Sequence, residues 1–284
     1  MKQVVIISGK GGTGKTTFAA VVYSVEGGVL ADCDVDAPNL HILLQPKVLK
    51  REEVFVTKKA FIIRDKCTSC GLCYELCRFN AIKDVNGYEV DETHCEGCGF
   101  CYNACPEKAI EMRDVKTGDL FISKTDFGYF VHALLKPGEE NSGRLVSEVK
   151  KKAKDIAEEK NAKFLLVDAA PGIGCPVIAS LAGVDAAVVI SEPTLSGLND
   201  MVRVVRLAEH FRVKPFVVVN KYDLNEDMAL KIEDYCNRNG IEFIGKIPFD
   251  EELIKQFSAL KFPFDCPASE EVLECWDRVK NSIL

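Results

Sequence analysis

The sequence has no apolar run long enough to span a bilayer, no excess of basic charge and no basic amphipathic tail. Each absence excludes something. Without about 20 consecutive apolar residues there is no membrane-spanning helix. A formal net charge of -7 argues against nucleic acid as the main partner, because neutralising phosphates takes a clustered basic surface. The stretch from Ala268 to Leu284 carries Glu270, Glu271, Glu274 and Asp277, so it is not the lysine-rich helix that anchors a protein to a membrane surface. Signs of disorder are missing too, since 47% hydrophobic and 28% charged residues are ordinary for a globular chain with a real core. The first residues already read as a core strand and leave no room for a signal peptide, so the expectation is a cytoplasmic protein.

Cysteine is what the chain has in excess. In a cytosolic setting thirteen cysteines point to metal or redox chemistry rather than to disulfides. Eight of them form two runs, Cys67-x2-Cys70-x2-Cys73-x3-Cys77 and Cys95-x2-Cys98-x2-Cys101-x3-Cys105-Pro106, and each cysteine of the first run recurs 28 positions later. This is the bacterial two-cluster ferredoxin pattern, in which three close thiolates hold one 4Fe-4S cube and the fourth ligand comes from the other run. Cluster one would use Cys67, Cys70, Cys73 and Cys105, and cluster two Cys77, Cys95, Cys98 and Cys101. An all-cysteine zinc site needs only four thiolates, which leaves the rest surplus. The first run departs from the pattern in having Arg78 where proline usually follows. Cys33, Cys236, Cys266 and Cys275 are read as structural.

The second strong motif follows the apolar run Val4-Val5-Ile6-Ile7. Ser8-Gly9-Lys10-Gly11-Gly12-Thr13-Gly14-Lys15-Thr16-Thr17 leads into a helix-compatible stretch and fits the phosphate loop G-x-x-x-x-G-K-S/T. Residues Gly9 to Thr17 would cradle the phosphates through backbone amides, Lys15 would reach the β- and γ-phosphates, and the Thr16 hydroxyl would ligate Mg2+. An ordinary phosphate loop does not need Lys10. The combination resembles the deviant Walker A ATPases (MinD, ParA, Mrp and the nitrogenase iron protein), and the resemblance implies a nucleotide-sandwich homodimer in which Lys10 contacts the nucleotide of the facing subunit.

The same resemblance implies roles farther along. Asp32-Cys33-Asp34 looks like switch I, with Asp34 positioning the attacking water and feeling Mg2+. Phe164-Leu165-Leu166-Val167-Asp168 followed by Pro171-Gly172 looks like switch II, with Asp168 in the Mg2+ shell and the Gly172 amide following the γ-phosphate. Asn220 at a strand end suits the edge of adenine. It begins Asn220-Lys221-Tyr222-Asp223, however, and N-K-x-D also reads guanine, so the residues leave ATP and GTP open where the resemblance favours ATP. Pro248 and Asp250 resemble the loop that closes over the base. Cys175 stands where the nitrogenase iron protein has a cluster ligand, and Asn141 occupies that protein's second such position, so Cys175 is read either as a transient metal ligand at the dimer axis or as a small buried residue.

The expected fold is α/β, a mostly parallel P-loop sheet with helices on both faces, formed by residues 1–46 and 113–284. A small α+β ferredoxin-like domain over 47–112 is inserted into it. The stretch from Gly138 to Arg144 is expected to lead into a helix through Lys160 that turns Lys150 to Lys154 outward. The expected activity is Mg2+-dependent ATP hydrolysis coupled to electron transfer, or to iron-sulfur cluster assembly, on an unidentified redox or metalloprotein partner. The alternative is a nucleotide-switched positioning or regulatory ATPase whose clusters sense redox state or only hold the insert together.

Overall fold

Runs such as Val4 to Ile7 and Val188 to Ile190 have no polar face, and strands of that kind are stable only where helices cover both sides of the sheet. The computed structural model describes residues 1–139, 143–261 and 264–284, so Asn141 and Ser142 lie outside the described residues. The chain begins β1 (Lys2–Ile7), α1 (Lys15–Glu26), β2 (Gly28–Cys33), α2 (Leu40–Leu44) and β3 (Lys47–Val54). The cysteine runs bring β4 (Thr57–Ile62), α3 (Leu72–Leu76), β5 (Ile82–Asp84), β6 (Tyr88–Val90), α4 (Phe100–Ala104) and β7 (Ile110–Val115). There follow β8 (Gly118–Lys124), β9 (Gly128–Leu135), α5 (Gly143–Glu159), β10 (Phe164–Ala169), α6 (Cys175–Leu181), β11 (Ala186–Ser191) and α7 (Leu195–His210). The chain ends with β12 (Lys214–Asn220), α8 (Glu226–Arg238), β13 (Glu242–Ile247), α9 (Glu251–Ser258) and α10 (Pro267–Ile283).

Among the described residues the main sheet has the order β13-β12-β11-β1-β10-β2-β9-β8-β3. Every pairing from β13 across to β9 is parallel, as the unbroken apolar runs require. The strands β1, β2, β10 and β12 all end at one edge of the sheet, and the crevice there is where an open parallel sheet binds its ligand. Behind them Phe18, Val22 and Tyr23 of α1 are fully buried. Trp276 of α10 meets Phe164 edge-on at 5.1 Å and donates from Nε1 to Glu26 Oε1 at 2.9 Å. None of the helices of the described residues is long and apolar enough to cross a membrane.

The chain divides into two compact units. One comprises Met1–Arg51, Leu120–Leu134 and Asn141–Leu284, and the other Glu52–Asp119 with Leu135–Glu140. The second unit thus begins later than residue 47, extends past 112 and includes a stretch after β9. Pairing explains this. β4 runs antiparallel to β7 from Thr57 opposite Val115 to Ile62 opposite Ile110. The Thr117 hydroxyl accepts from the Thr57 amide at 3.2 Å, and Glu139 receives Lys59 Nζ at 2.5 Å.

One side-chain expectation is overturned. Lys150 is 8% exposed, and Nζ donates to the carbonyls of Ala179, Ser180 and Ala182. Helical position alone suggested a solvated lysine face. The last carbonyls of a neighbouring helix, which lack partners of their own, draw this one inward.

Candidate functional site

The loop between β1 and α1 is held in shape by two glycines and a serine. Gly12 and Gly14 adopt φ of 78° and 98°, which L side chains rarely adopt. A Cβ on Gly14 would lie 2.3 Å from Asn220 Nδ2. That amide donates to Thr13 O at 2.7 Å, and Asn220 Oδ1 accepts from the Lys221 amide. Asn220 therefore braces the loop against the end of β12. The buried Ser8 hydroxyl donates to Lys10 O at 2.6 Å, and Ser8 O accepts from the Gly172 amide at 2.9 Å. Lys15, the first residue of α1, is buried, and burial lowers its pKa against the pull of Asp168 and Asp34.

Facing Lys15 is a group of carboxylates. Asp32 and Asp168 are register partners on adjacent parallel strands, each 1% exposed. Burial pushes Asp168 up to about 7, although Thr16 donates to it and Lys15 attracts it. Burial and the Asp168 charge together raise Asp32 well above the ordinary carboxylate range. Asp34 is half-buried and also raised by burial, against the pull of Lys15. Asp168 Oδ1 and Asp32 Oδ2 are buried without a hydrogen-bond partner. Unpaired carboxylate oxygens beside a hydroxyl are hard donors, and they suit a small divalent cation.

Lys10 points within its own subunit. Its Nζ lies 2.8 Å from Glu192 Oε2, while Lys221 Nζ takes Glu192 Oε1 at 2.8 Å and Gly12 O at 3.1 Å. Burial pushes the Glu192 carboxyl up, but the two ammonium groups outweigh it and hold it below the usual range. Glu192 was missed as a site residue in the sequence. The available signal was a carboxylate directly after the buried strand β11, at the ligand-binding edge.

Beside the loop is a cavity of about 860 Å3, open mouth included, lined by Gly12, Thr17, Asn220, Pro248, Phe249 and Asp250 among others. Asp250 borders it, but its carboxylate caps α9 through the amides of Glu252 and Leu253 and accepts from the Ala268 amide. Asp223 Oδ1 accepts from the Phe249 amide at 2.7 Å. The aspartate by which N-K-x-D could read guanine is therefore already engaged with the loop after β13.

In the second unit the cysteines fall into two groups. Cys67, Cys70, Cys73 and Cys105 line one cavity, with Ile62, Leu72 and Tyr88 on its walls. Cys77, Cys95, Cys98 and Cys101 line another, with Ala60, Ala81 and Ile82. Gly71 and Gly99, at φ of 81° and 72°, start the short helices α3 and α4 inside each run. None of the thirteen cysteines is in a disulfide. Among the described residues no three His, Cys, Asp or Glu side chains converge on a single metal ion. Cys175 is exposed at the start of α6 and is not the small buried residue of the alternative reading.

Comparison with known proteins gives these features a context. The profile of the CobQ/CobB/MinD/ParA nucleotide binding domain matches residues 4–264. An uncharacterized protein of Methanocaldococcus jannaschii is 33% identical over 99% of this chain and 97% of its own. An iron-sulfur cluster carrier protein of Pyrococcus abyssi is 21% identical over 99% of this chain and 86% of its own. Among solved structures, the septum site-determining protein MinD of Pyrococcus horikoshii with Mg-ADP superposes with a TM-score of 0.60 at 17% identity, covering 99% of this chain and 96% of that one.

Proposed function

This chain belongs to the CobQ/CobB/MinD/ParA nucleotide-binding family and is a P-loop ATPase, and from that premise we propose that nucleotide-driven closure of a homodimer drives electron transfer or iron-sulfur cluster assembly on a protein partner. The observation that carries the reading is the partition of eight cysteines into two cavities, four and four, each combining thiols of both runs. The relation to an iron-sulfur cluster carrier supports it.

The soft thiolate set fits 4Fe-4S clusters. Cys67, Cys70, Cys73 and Cys105 would hold one, and Cys77, Cys95, Cys98 and Cys101 the other; when bound, they supply one-electron chemistry. The orphaned oxygen of Asp168 beside the Thr16 hydroxyl fits Mg2+, with Asp34 behind, and a cation there supplies counter-charge to the phosphates.

The residues divide the hydrolysis between them. Amides of Gly9 to Gly14 and the start of α1 bind phosphate oxygens, and Lys15 neutralises charge developing on the γ-phosphoryl. Asp34 orients a water that adds to the γ-phosphorus as the bond to the β–γ bridging oxygen breaks; the water's proton leaves with the phosphate. Asn220, Pro248 and the backbone around Asp250 shape the base pocket. In a sandwich dimer Lys10 leaves Glu192 for the nucleotide of the facing subunit.

Anaerobic purification tests the reading. The expected result is about eight iron atoms per chain, with electron paramagnetic resonance signals and a reduction potential that change with ATP. Lys15→Ala should lower hydrolysis by about 10²-fold or more. Zinc without iron would refute the cluster assignment. Clusters indifferent to nucleotide would favour a positioning or regulatory ATPase instead, the kind of role that the septum site-determining protein MinD is named for.

A further inference from the structure

Lys150 is a buried cation that the reactions above do not use. It lies on α5, the helix that follows the Leu135–Glu140 stretch of the cysteine-bearing unit in the chain. Its Nζ donates to Ser180 O at 2.9 Å, to Ala179 O at 3.2 Å and to Ala182 O, the carbonyls at the end of α6. Those carbonyls have no donor within their own helix, and a positive charge at a helix C-terminus also meets the favourable end of the dipole. The same side chain faces the buried Cys33 thiol between Asp32 and Asp34, and Ser180 hydrogen-bonds that thiol.

The other end of α6 is held as well. Gly143, the first residue of α5, lies so close that a Cβ there would stand 3.0 Å from Cys175 O and 3.5 Å from Ala179 Cβ. Thus α5 grips α6 at its first residue through bare backbone and at its last turn through Lys150. Just before α6 in the chain stands Gly172, whose amide donates to Ser8 O at 2.9 Å. An amide bonded there is not available to a γ-phosphate, so a γ-phosphate contact of Gly172 would need a second arrangement.

We propose that Lys150 and Gly143 clamp α6 to α5, so that the exchange of Gly172 between Ser8 and the γ-phosphate is delivered through α6 to α5. Lys150 is here a positioning residue, since it touches neither nucleotide nor cysteine ligand. The γ-phosphate as second partner of Gly172 rests on the nucleotide chemistry proposed above, whereas the clamp itself rests on the contacts of Lys150 and Gly143.

Hydrogen exchange of the full-length protein with Mg-ADP and with Mg2+ plus a non-hydrolysable ATP analogue provides the test, with iron counted on the same samples. The wild type is expected to show a nucleotide-dependent difference in 172–181 and also in 143–159. Lys150→Met should keep the first and reduce the second by about threefold or more, and Lys150→Arg should restore it. A purely structural role would alter exchange equally in both nucleotide states. Should Lys150→Met fail to fold, Gly143→Ala decides, because its new methyl needs a shift of only a few tenths of an ångström at α6. The proposal is overturned if α5 ignores nucleotide in the wild type, or if the folded variants transmit the difference undiminished. An iron-free protein with the expected exchange pattern would refute the cluster reading and leave the clamp standing.

Discussion

The two units solve the problem of staying folded differently. The α/β unit buries large apolar side chains completely, among them Phe18, Phe130, Phe216 and Trp276, between a parallel sheet and its helices. In the cysteine-bearing unit the buried apolar residues are small or few, with Val54, Ala60, Ala81, Ile82, Ala109 and Ile110, while Tyr74, Phe79, Phe100 and Tyr102 are exposed. Units of about 70 residues with so small an interior are commonly held by disulfides, metals or other cross-links. Its cysteines form no disulfide and fall into two groups of four, each lining its own cavity. Packing accounts for the first unit, and for the second the clusters proposed above would supply the missing cross-links.

The largest expected effect breaks this comparison outright. Anaerobic treatment with a strong iron chelator should abolish amide protection across 52–119 while leaving the α/β unit folded and able to bind nucleotide, as followed by hydrogen exchange. A protected, chelator-treated cysteine unit would show that its small core suffices. Next in size, Phe216→Ala should destabilise the α/β unit by about 3–5 kcal/mol in denaturant unfolding and leave the iron content unchanged.

Smaller and dependent on pH is the contribution of His132. It is 3% exposed, stacked on His41, Phe121 and Phe130 at ring distances of 5.3, 5.0 and 4.8 Å, and its Nδ1 has no partner. Burial first, and the neighbouring His41 second, lower its pKa to about 4. A base whose folded pKa lies below its unfolded value takes up protons on unfolding. Stability is therefore complete above about 6.5 and declines as pH falls toward about 4. His132→Phe should flatten that decline in the α/β unit, as measured by unfolding midpoints across the window.

Much of this architecture is legible in the sequence because it is local. The phosphate loop lies between a strand and a helix, Asp168 ends an apolar run, and the cysteine spacing repeats within 28 residues. The parallel sheet follows from strands that have no polar face. What escaped depends on pairing between distant segments. Lys150 belongs to a lysine run and is buried only because α6 ends beside it. Glu192 acquires its role from Lys10 and Lys221, which chain order keeps far apart. The Leu135–Glu140 stretch joins the second unit through Glu139 and Lys59, a long-range ion pair that no short motif announces. Asp250 suited the base pocket by position, but its carboxylate is turned to the amides that start α9 and α10.

Trp276 carries a consequence of another kind. It is the chain's single tryptophan, and it lies in the α/β core against Phe164 with Nε1 on Glu26. Its emission is therefore a built-in optical label for that core alone. Visible absorption from thiolate-bound iron would label only the other unit. A single unmodified sample, heated or titrated once, should yield two independent melting curves, read at two wavelengths without any engineered dye.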